Sequence, residues 1–488
     1  MKRKVVLLLG LVSLGQGGSP EYFFPTHRIS GVGVERDTLT PETLQLRIDL
    51  MVQAQTFIIM REQEAVNGAR RVTAPKLQSI IRSAAQSSGF PQSTLEAIMY
   101  LESWGDPNAP VSPAGAKGIM QITEPTARDM GLSIVRATRY KVTKERVLVK
   151  SKKKGTKPKY KTVTHKEPYT LLVRDDRMVP ERAIPAAARY LARLERTFGA
   201  EDWAIFAYHC GTGCVAYMKE LTGRAQGIPP GEITVPRMFF SCSPNWNREL
   251  YEAIQQQMLR DYSPTYYFRI ERAAQLLALY RQNPDDLAAL QQEYRNRFAS
   301  GLRAPHRLWA WLRPDDLIYR TGEDIRANPG SRLLKAAEDA DYLGYTLQLP
   351  PDDRAVADYS QASPAALGTL TYIAFETRRL CEERHAPGEI FQPLPVVALV
   401  EPADYAREQP FEHDAFAHSS GEVFDLDTSR LSAGELECLR FVLDDLEWTG
   451  YLGFLQEGAN RLHIGCSPAS REFFANVWQE AEEHLAAN

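Results

Sequence analysis

The stretch Ser93-Thr94-Leu95-Glu96-Ala97-Ile98-Met99-Tyr100-Leu101-Glu102-Ser103-Trp104-Gly105 decides how this chain is read. Leu95, Ile98, Met99 and Leu101 form an apolar stripe at helical spacing. Ser93 to Glu96 has the form of a capping box, and Gly105 with Pro107 ends the helix. Glu102 falls in the last turn of this apolar segment. The negative end of the helix dipole disfavours a carboxylate there, and a cleft lined by Tyr and Met adds a desolvation cost. A carboxylic acid kept neutral near pH 7 is what general-acid cleavage of a glycosidic bond requires. Ser103 is placed to hydrogen-bond the carboxyl and orient it. A Glu at a helix end is more often a solvated charge, so the flanking sequence has to carry the reading.

Downstream stand Ser112-Pro113-Ala114-Gly115-Ala116-Lys117-Gly118-Ile119-Met120-Gln121-Ile122 and Pro125-Thr126-Ala127, and farther on Ala207-Tyr208-His209-Cys210-Gly211-Thr212-Gly213. Together with Glu102-Ser103, these blocks resemble the soluble lytic transglycosylase (SLT) domain over about residues 73–215. That domain has a lysozyme-like fold and acts on bacterial peptidoglycan. Its pattern is Glu-Ser, then Gly-Leu-Met-Gln, then Ala-Tyr-Asn-Ala-Gly; here His209 and Cys210 replace the Asn and Ala of the third block. The resemblance implies that Glu102 is a single acid/base. It would protonate the leaving glycosidic oxygen and then take the proton of the sugar's own 6-hydroxyl, leaving a 1,6-anhydro-muramyl end. No cofactor and no second carboxylate is implied, unlike the paired carboxylates of ordinary glycosidases. Ser103, Met120, Gln121 and Tyr208 would bind substrate; for Met120, core packing is an equal alternative.

The whole chain has 488 residues, 24% charged and 44% hydrophobic, with a formal net charge of −3. That is enough for about three domains with real cores, and collagen-like, disordered and coiled-coil classes fail on composition. The near-neutral balance argues against nucleic acid as a partner of the whole surface. Lys2 to Lys4, the apolar run Val5 to Val12, and Ser13 with Gly15 read as a cleaved export signal over residues 1–17. The expected location is therefore periplasmic or secreted, with no transmembrane segment after cleavage. In an oxidising compartment the six cysteines are free to pair. Cys242 suits either Cys210 or Cys214, and Cys438 and Cys466 share a segment.

Between the second and third blocks the composition shifts. Residues 139–166 hold twelve Lys or Arg against one acidic residue, Glu145. The β-rich runs Arg146–Val149 and Tyr160–Val163 flank Gly155 and Pro158, which reads as an inserted hairpin. Two roles stay open for it: a solvated hairpin, or an electrostatic arm for anionic wall polymers or peptidoglycan carboxylates.

Residues 401–488 are acidic, with 18 Asp or Glu against five Arg. Val396 to Val400 and Val423 to Asp427 read as strands, and Ser432 to Trp448 as a helix opened by a second capping box, Ser432 to Glu435. His418, Asp425 and His463 offer two imidazoles and a carboxylate, the donor set of an open zinc site. The spacing His-x2-Gly-x3-Asp with a later His resembles the D,D-carboxypeptidase and LAS metallopeptidases over about residues 393–468. That resemblance implies a substrate-binding role for Arg407 and stem peptides as partners. It departs where the family has its base: Asn460 stands three residues before His463, and Glu457 is six away.

The expected fold class is a multidomain chain, a mostly α lysozyme-like domain with a helical extension plus a C-terminal α+β zinc-peptidase-like domain. The expected boundaries are residues 18–72 for an N-terminal helical segment, 73–260 for the transglycosylase domain, 261–375 for a helical linker and 376–488 for the metallopeptidase-like domain. The expected function is an exported enzyme cutting peptidoglycan glycan strands at the MurNAc–GlcNAc bond, a glycan-cleaving lyase. Zinc peptidase as the main activity and a non-catalytic peptidoglycan-binding scaffold are the alternatives.

Overall fold

A computed structural model of the protein describes residues 23–26, 29, 39–149, 159–257, 263–298, 316–337, 341–349, 357–384, 391–406 and 417–487. The expected export signal, the tip of the basic insert and Arg407 lie outside these residues. The chain forms two compact units, one from residues 38–315 with 448–451, the other from 1–37, 316–447 and 452–488.

The first unit is helical. Its helices are α1 (Pro41–Met60), α2 (Ala65–Val72), α3 (Pro75–Ser88), α4 (Gln92–Ser103) and α5 (Glu124–Asp129), then, after a β-ribbon, α6 (Pro180–Phe198), α7 (Glu201–Cys210), α8 (Thr212–Gln226), α9 (Val235–Phe240), α10 (Arg248–Gln257), α11 (Tyr266–Gln282) and α12 (Pro284–Phe298). Proline at the first turn starts α1, α3 and α6, and glycines with left-handed φ, Gly89 and Gly199, stop α3 and α6. Helix α4 is the centre. Leu95, Ala97, Ile98, Met99 and Tyr100 have no exposed surface, and α2, α3 and α11 pack around them. Burying each of the larger of these side chains is worth about 2 kcal/mol.

The capping box expected at Ser93 does not form, because α4 begins two residues earlier, after Pro91, and has no side-chain cap. Glu96 is buried and accepts hydrogen bonds from Gln78 (3.0 Å), Gln92 (2.8 Å) and the Arg281 guanidinium. It ties α3 and α11 to α4.

The basic insert is an antiparallel ribbon of β1 (Ile134–Val149) and β2 (Lys159–Asp175), longer at both ends than the sequence suggested. Its base is clamped. Arg177, buried just after β2, pairs with Asp175 at 2.7 Å and donates to the carbonyls of Gly115 and Ile122, both at 3.2 Å.

The second unit is α+β. A short helix α13 (Gly322–Ala327) and a small pair of strands, β3 (Leu334–Lys335) and β5 (Gln361–Ala362), accompany a five-stranded sheet. The sheet has the order β4 (Tyr345–Leu347), β6 (Leu394–Ala398), β7 (Val423–Asp427), β9 (Arg461–Cys466), β8 (Leu452–Glu457). Only β4–β6 is parallel. The helices Pro364–Arg384 and Arg471–Ala487 cross closely at Gly368, where a Cβ would lie 1.8 Å from the Phe474 carbonyl oxygen. The capping box at Ser432 does form: Ser432 N–H donates to Glu435 (2.8 Å), and Glu435 N–H donates to the Ser432 hydroxyl (3.2 Å).

Two sequence expectations differ from this architecture. Residues 263–298 are not a linker: α11 and α12 belong to the helical unit, whereas residues 316–375 belong to the α+β unit. The cysteines are free thiols with other neighbours. Cys438 lies against Cys381 rather than Cys466. Cys210 lies against Cys214, across a helix break at Gly211 (φ 88°, ψ 162°), and Cys242 is buried and donates to the Phe239 carbonyl instead.

Candidate active site

Helix α4 stops abruptly after Ser103. Trp104 adopts φ 54° and Gly105 φ 67°, so the chain turns sharply and leaves Glu102 half-buried in the last turn. A Cβ on Gly105 would come within 3.0 Å of Val72 and within 3.2 Å of its backbone nitrogen, so the turn is pressed onto α2. Beside it opens a cleft of about 420 Å³, whose walls include Glu102, Trp104, His209, Tyr266, Arg269 and Glu62.

The Glu102 carboxyl is raised to about 7 from an ordinary 4.5. Desolvation by burial is the main cause, and it outweighs two effects that favour the anion, the Tyr266 hydrogen bond and the Arg269 charge. Tyr266 donates its hydroxyl to Oε1 at 2.7 Å, and Oε2 has no hydrogen-bond partner among the described residues. His209 stacks on the Tyr266 ring at 4.4 Å and 14°, and the Arg269 guanidinium lies 5.9 Å from the same ring. The carboxyl is thus near half-protonated at neutral pH, one oxygen is held, and the other is available.

Of the blocks named in the sequence, the first and third reach this cleft through Glu102 and His209, and the second is joined to both by hydrogen bonds, so not all take the expected roles. Ser103 does not touch the carboxyl. It is buried, and its hydroxyl lies 2.7 Å from the Ile119 carbonyl oxygen and 3.1 Å from that of Met99, which fastens the second block to α4. Met120 is fully buried, so its side chain fills the core and is not in the cleft. Its carbonyl does matter: Tyr208 donates to it at 2.7 Å, joining the second and third blocks. Burial, with the Glu102 charge as the next cause, pushes the Tyr208 phenol well up, which keeps it a neutral donor. Gln121 is half-buried at φ 44° and folds onto its own loop, donating to the Gly118 carbonyl at 3.1 Å. Gly118 has φ 74°, and a Cβ there would lie 1.9 Å from the Arg177 carbonyl oxygen. Only glycine fits where the ribbon base presses on this block.

Tyr266 and Arg269 were missed by sequence reasoning. They stand more than 160 positions after Glu102 on α11, and no local spacing links them. The visible signal was only a Tyr-rich helical face.

In the α+β unit His418, Asp425 and His463 come together, with one potential ligand atom from each within 4.8 Å of the others. Asp425 on β7 lies opposite His463 on β9. Its Oδ1 is 2.7 Å from His463 Nδ1 and 3.1 Å from His418 Nε2. His418 Nδ1 donates to the Leu399 carbonyl at 2.6 Å, the orienting bond that metal-bound histidines commonly make. The donor set fits zinc. Two features weigh against hydrolysis there. The Arg461 guanidinium holds the other Asp425 oxygen, and Asn460 is exposed and has no acid function. Without a metal the cluster is an ion-paired network. Desolvation lowers the His418 pKa, but the Asp425 charge and hydrogen bond outweigh it and bring it to about 10.

Comparison with known proteins bears on the helical unit. Residues 79–145 and 154–228 match the family described as Transglycosylase SLT domain. A protein named membrane-bound lytic murein transglycosylase F from Alcanivorax borkumensis is 44% identical over 162 residues, 32% of this chain and 26% of the relative. A protein of the same name from Marinobacter nauticus is 44% identical over 59 residues, 12% of each chain. The chain thus spans about a quarter or less of the length of these curated relatives. The residues that match the family contain Glu102 and all the flanking blocks, and the helical unit is therefore the part of the chain that resembles the transglycosylase SLT domain.

Proposed function

We propose that this protein is a peptidoglycan lytic transglycosylase that cleaves the MurNAc–GlcNAc bond and leaves 1,6-anhydro-MurNAc ends. The supporting observation is the Glu102 carboxyl, raised to about 7 at the wall of a cleft, within the segment that resembles the SLT domain. Protonated Glu102 gives its proton to the glycosidic oxygen as the bond to the anomeric carbon breaks. The 6-hydroxyl oxygen of the same sugar then bonds to that carbon, and its proton returns to Glu102. No water is consumed and the acid is regenerated. Tyr266 holds Oε1 through both steps, Arg269 and the Tyr266 hydroxyl stabilise the transient carboxylate, and Gln121 and Tyr208 shape the sugar groove. His209, in place of the family's Asn, would contribute its exposed ring to the same wall.

A second reading has one observation behind it. Glu62 lines the same cleft, and paired carboxylates are the equipment of hydrolytic glycosidases. Glu62 is exposed and paired with Arg61 at 3.5 Å, which favours a surface role. Digestion of purified sacculi by the native chain, Glu102→Gln and Glu62→Gln, with products identified by mass spectrometry, separates the two. Anhydro ends from the native chain and Glu62→Gln, with none from Glu102→Gln, are expected. Reducing ends that vanish with either substitution would establish hydrolysis.

For the α+β unit we propose a zinc site of His418, Asp425 and His463. Bound zinc would supply Lewis acidity, while Asn460 supplies no base at the position where the resembled family carries one. Stem peptides are the polymer partner that such a site would take. We place the protein in the periplasm or outside the cell, where this substrate is found; among the described residues no helix is long and apolar enough to cross a membrane.

A further inference from the structure

We infer that one face of the β1–β2 ribbon is a second binding site for the polymer, taking the carboxylates of peptide-substituted glycan strands; this rests on the proposed function. In an antiparallel ladder, paired residues share a face and alternate residues point the same way. The pairs Tyr140↔Pro168, Val142↔Lys166, Lys144↔Thr164, Arg146↔Thr162 and Leu148↔Tyr160 therefore share one face. That face has three cations and no acidic residue. On the other face Lys141 stands opposite Glu167, and His165 pairs with Glu145 at 3.4 Å. That second face also carries Arg139 and Lys161, but both acidic residues of these pairs, Glu145 and Glu167, lie on it, so only the first face is purely cationic. Among the described residues, Lys144, Arg146 and Lys166 have no acidic partner.

The cationic face also displays two aromatic rings, Tyr140 at 59% and Tyr160 at 64% exposure. The Arg146 guanidinium sits 5.3 Å from the Tyr160 ring, which positions it without neutralising it. Cations, exposed rings and threonine hydroxyls in one narrow row suit a chain that carries both carboxylates and sugar faces. A bilayer is a poorer fit, because the apolar side chains are interleaved with charges and form no continuous surface. Strands of 16 and 17 residues extend roughly 50 Å at about 3.4 Å per residue. An isolated two-stranded ribbon is marginal in water, so the exposed rings are costly unless something covers them. The clamp of Arg177 and Gly118 fixes the base of the ribbon to the loop that carries Gln121. A strand held on the ribbon is thereby held near the Glu102 cleft.

The test compares the full native chain with the triple variant Lys144→Gln, Arg146→Gln, Lys166→Gln, after circular dichroism shows the same melting. Each is pelleted with intact sacculi and with sacculi stripped of stem peptides, at low and high salt, and assayed on a short peptide-free glycan. The expected result is about tenfold weaker binding of the variant to intact sacculi at low salt, with the difference lost at high salt. Both should bind stripped sacculi equally, and both should cut the short glycan at the same rate. Equal binding of the two chains to intact sacculi would overturn the inference. So would equal binding of the native chain to stripped and intact sacculi, or a variant defect seen only with anionic lipid vesicles or duplex DNA. If neither chain cuts the glycan while the salt-sensitive difference persists, the ribbon site stands and the transglycosylase reading fails.

Discussion

Glu102→Gln should abolish activity and yet stabilise the helical unit, and the pH at which it does so is set by the site. A folded-state value of about 7 against 4.5 in the unfolded chain means that between these values the folded form binds the extra proton. Stability therefore falls as pH rises through this window, and the loss is complete above about pH 7. A rise of about 2.5 units corresponds to about 3 kcal/mol. Glutamine is nearly isosteric, stays neutral and can still accept from Tyr266. The variant should thus match the native chain at pH 4, gain progressively, and be about 3 kcal/mol more stable at pH 8. Denaturant melts of the two chains across pH 4–8, followed by tryptophan fluorescence, would measure this; Trp104 and Trp203 report on the helical unit. A difference independent of pH, or one that decreases above pH 6, would refute the argument that burial holds this carboxyl protonated.

Other expectations follow from the same geometry. Tyr266→Phe removes a hydrogen bond that favours the anion, so the alkaline limb of kcat/KM on glycan should move above pH 7. Gly118→Ala forces a Cβ into the Arg177 carbonyl at an unfavourable φ and should cost about 2 kcal/mol or more in melts of the helical unit, together with glycan cleavage. The purified chain should bind one zinc by equilibrium dialysis and lose it on His418→Ala, while chelator leaves glycan cleavage unchanged.

Much of the helical unit was legible because its signals are local. The apolar stripe of α4, the stop at Gly105 and the order of the three blocks all lie within short windows. What was illegible depends on distant partners. Ser103 faces two carbonyls rather than Glu102, and only the path of the second block decides that. Glu96 is engaged by Gln78, Gln92 and Arg281 rather than by a cap, whereas Glu435 accepts from the Ser432 backbone with one oxygen and from Gln392 N–H with the other. Tyr266 and Arg269 reach the site from a region read as linker. In the α+β unit, the resemblance named Asp425 and His463 together, but Arg461 was overlooked. It lies two residues before His463 on β9, on the same strand face, and that parity was available in the sequence.

In the proposed mechanism one carboxyl suffices because the sugar's own 6-hydroxyl replaces water. Digestion of sacculi by the native chain in heavy-oxygen water, with mass spectrometry of the muramyl ends, tests this most directly. Anhydro ends that contain no oxygen from the solvent are expected. Heavy oxygen at the anomeric carbon would contradict this mechanism.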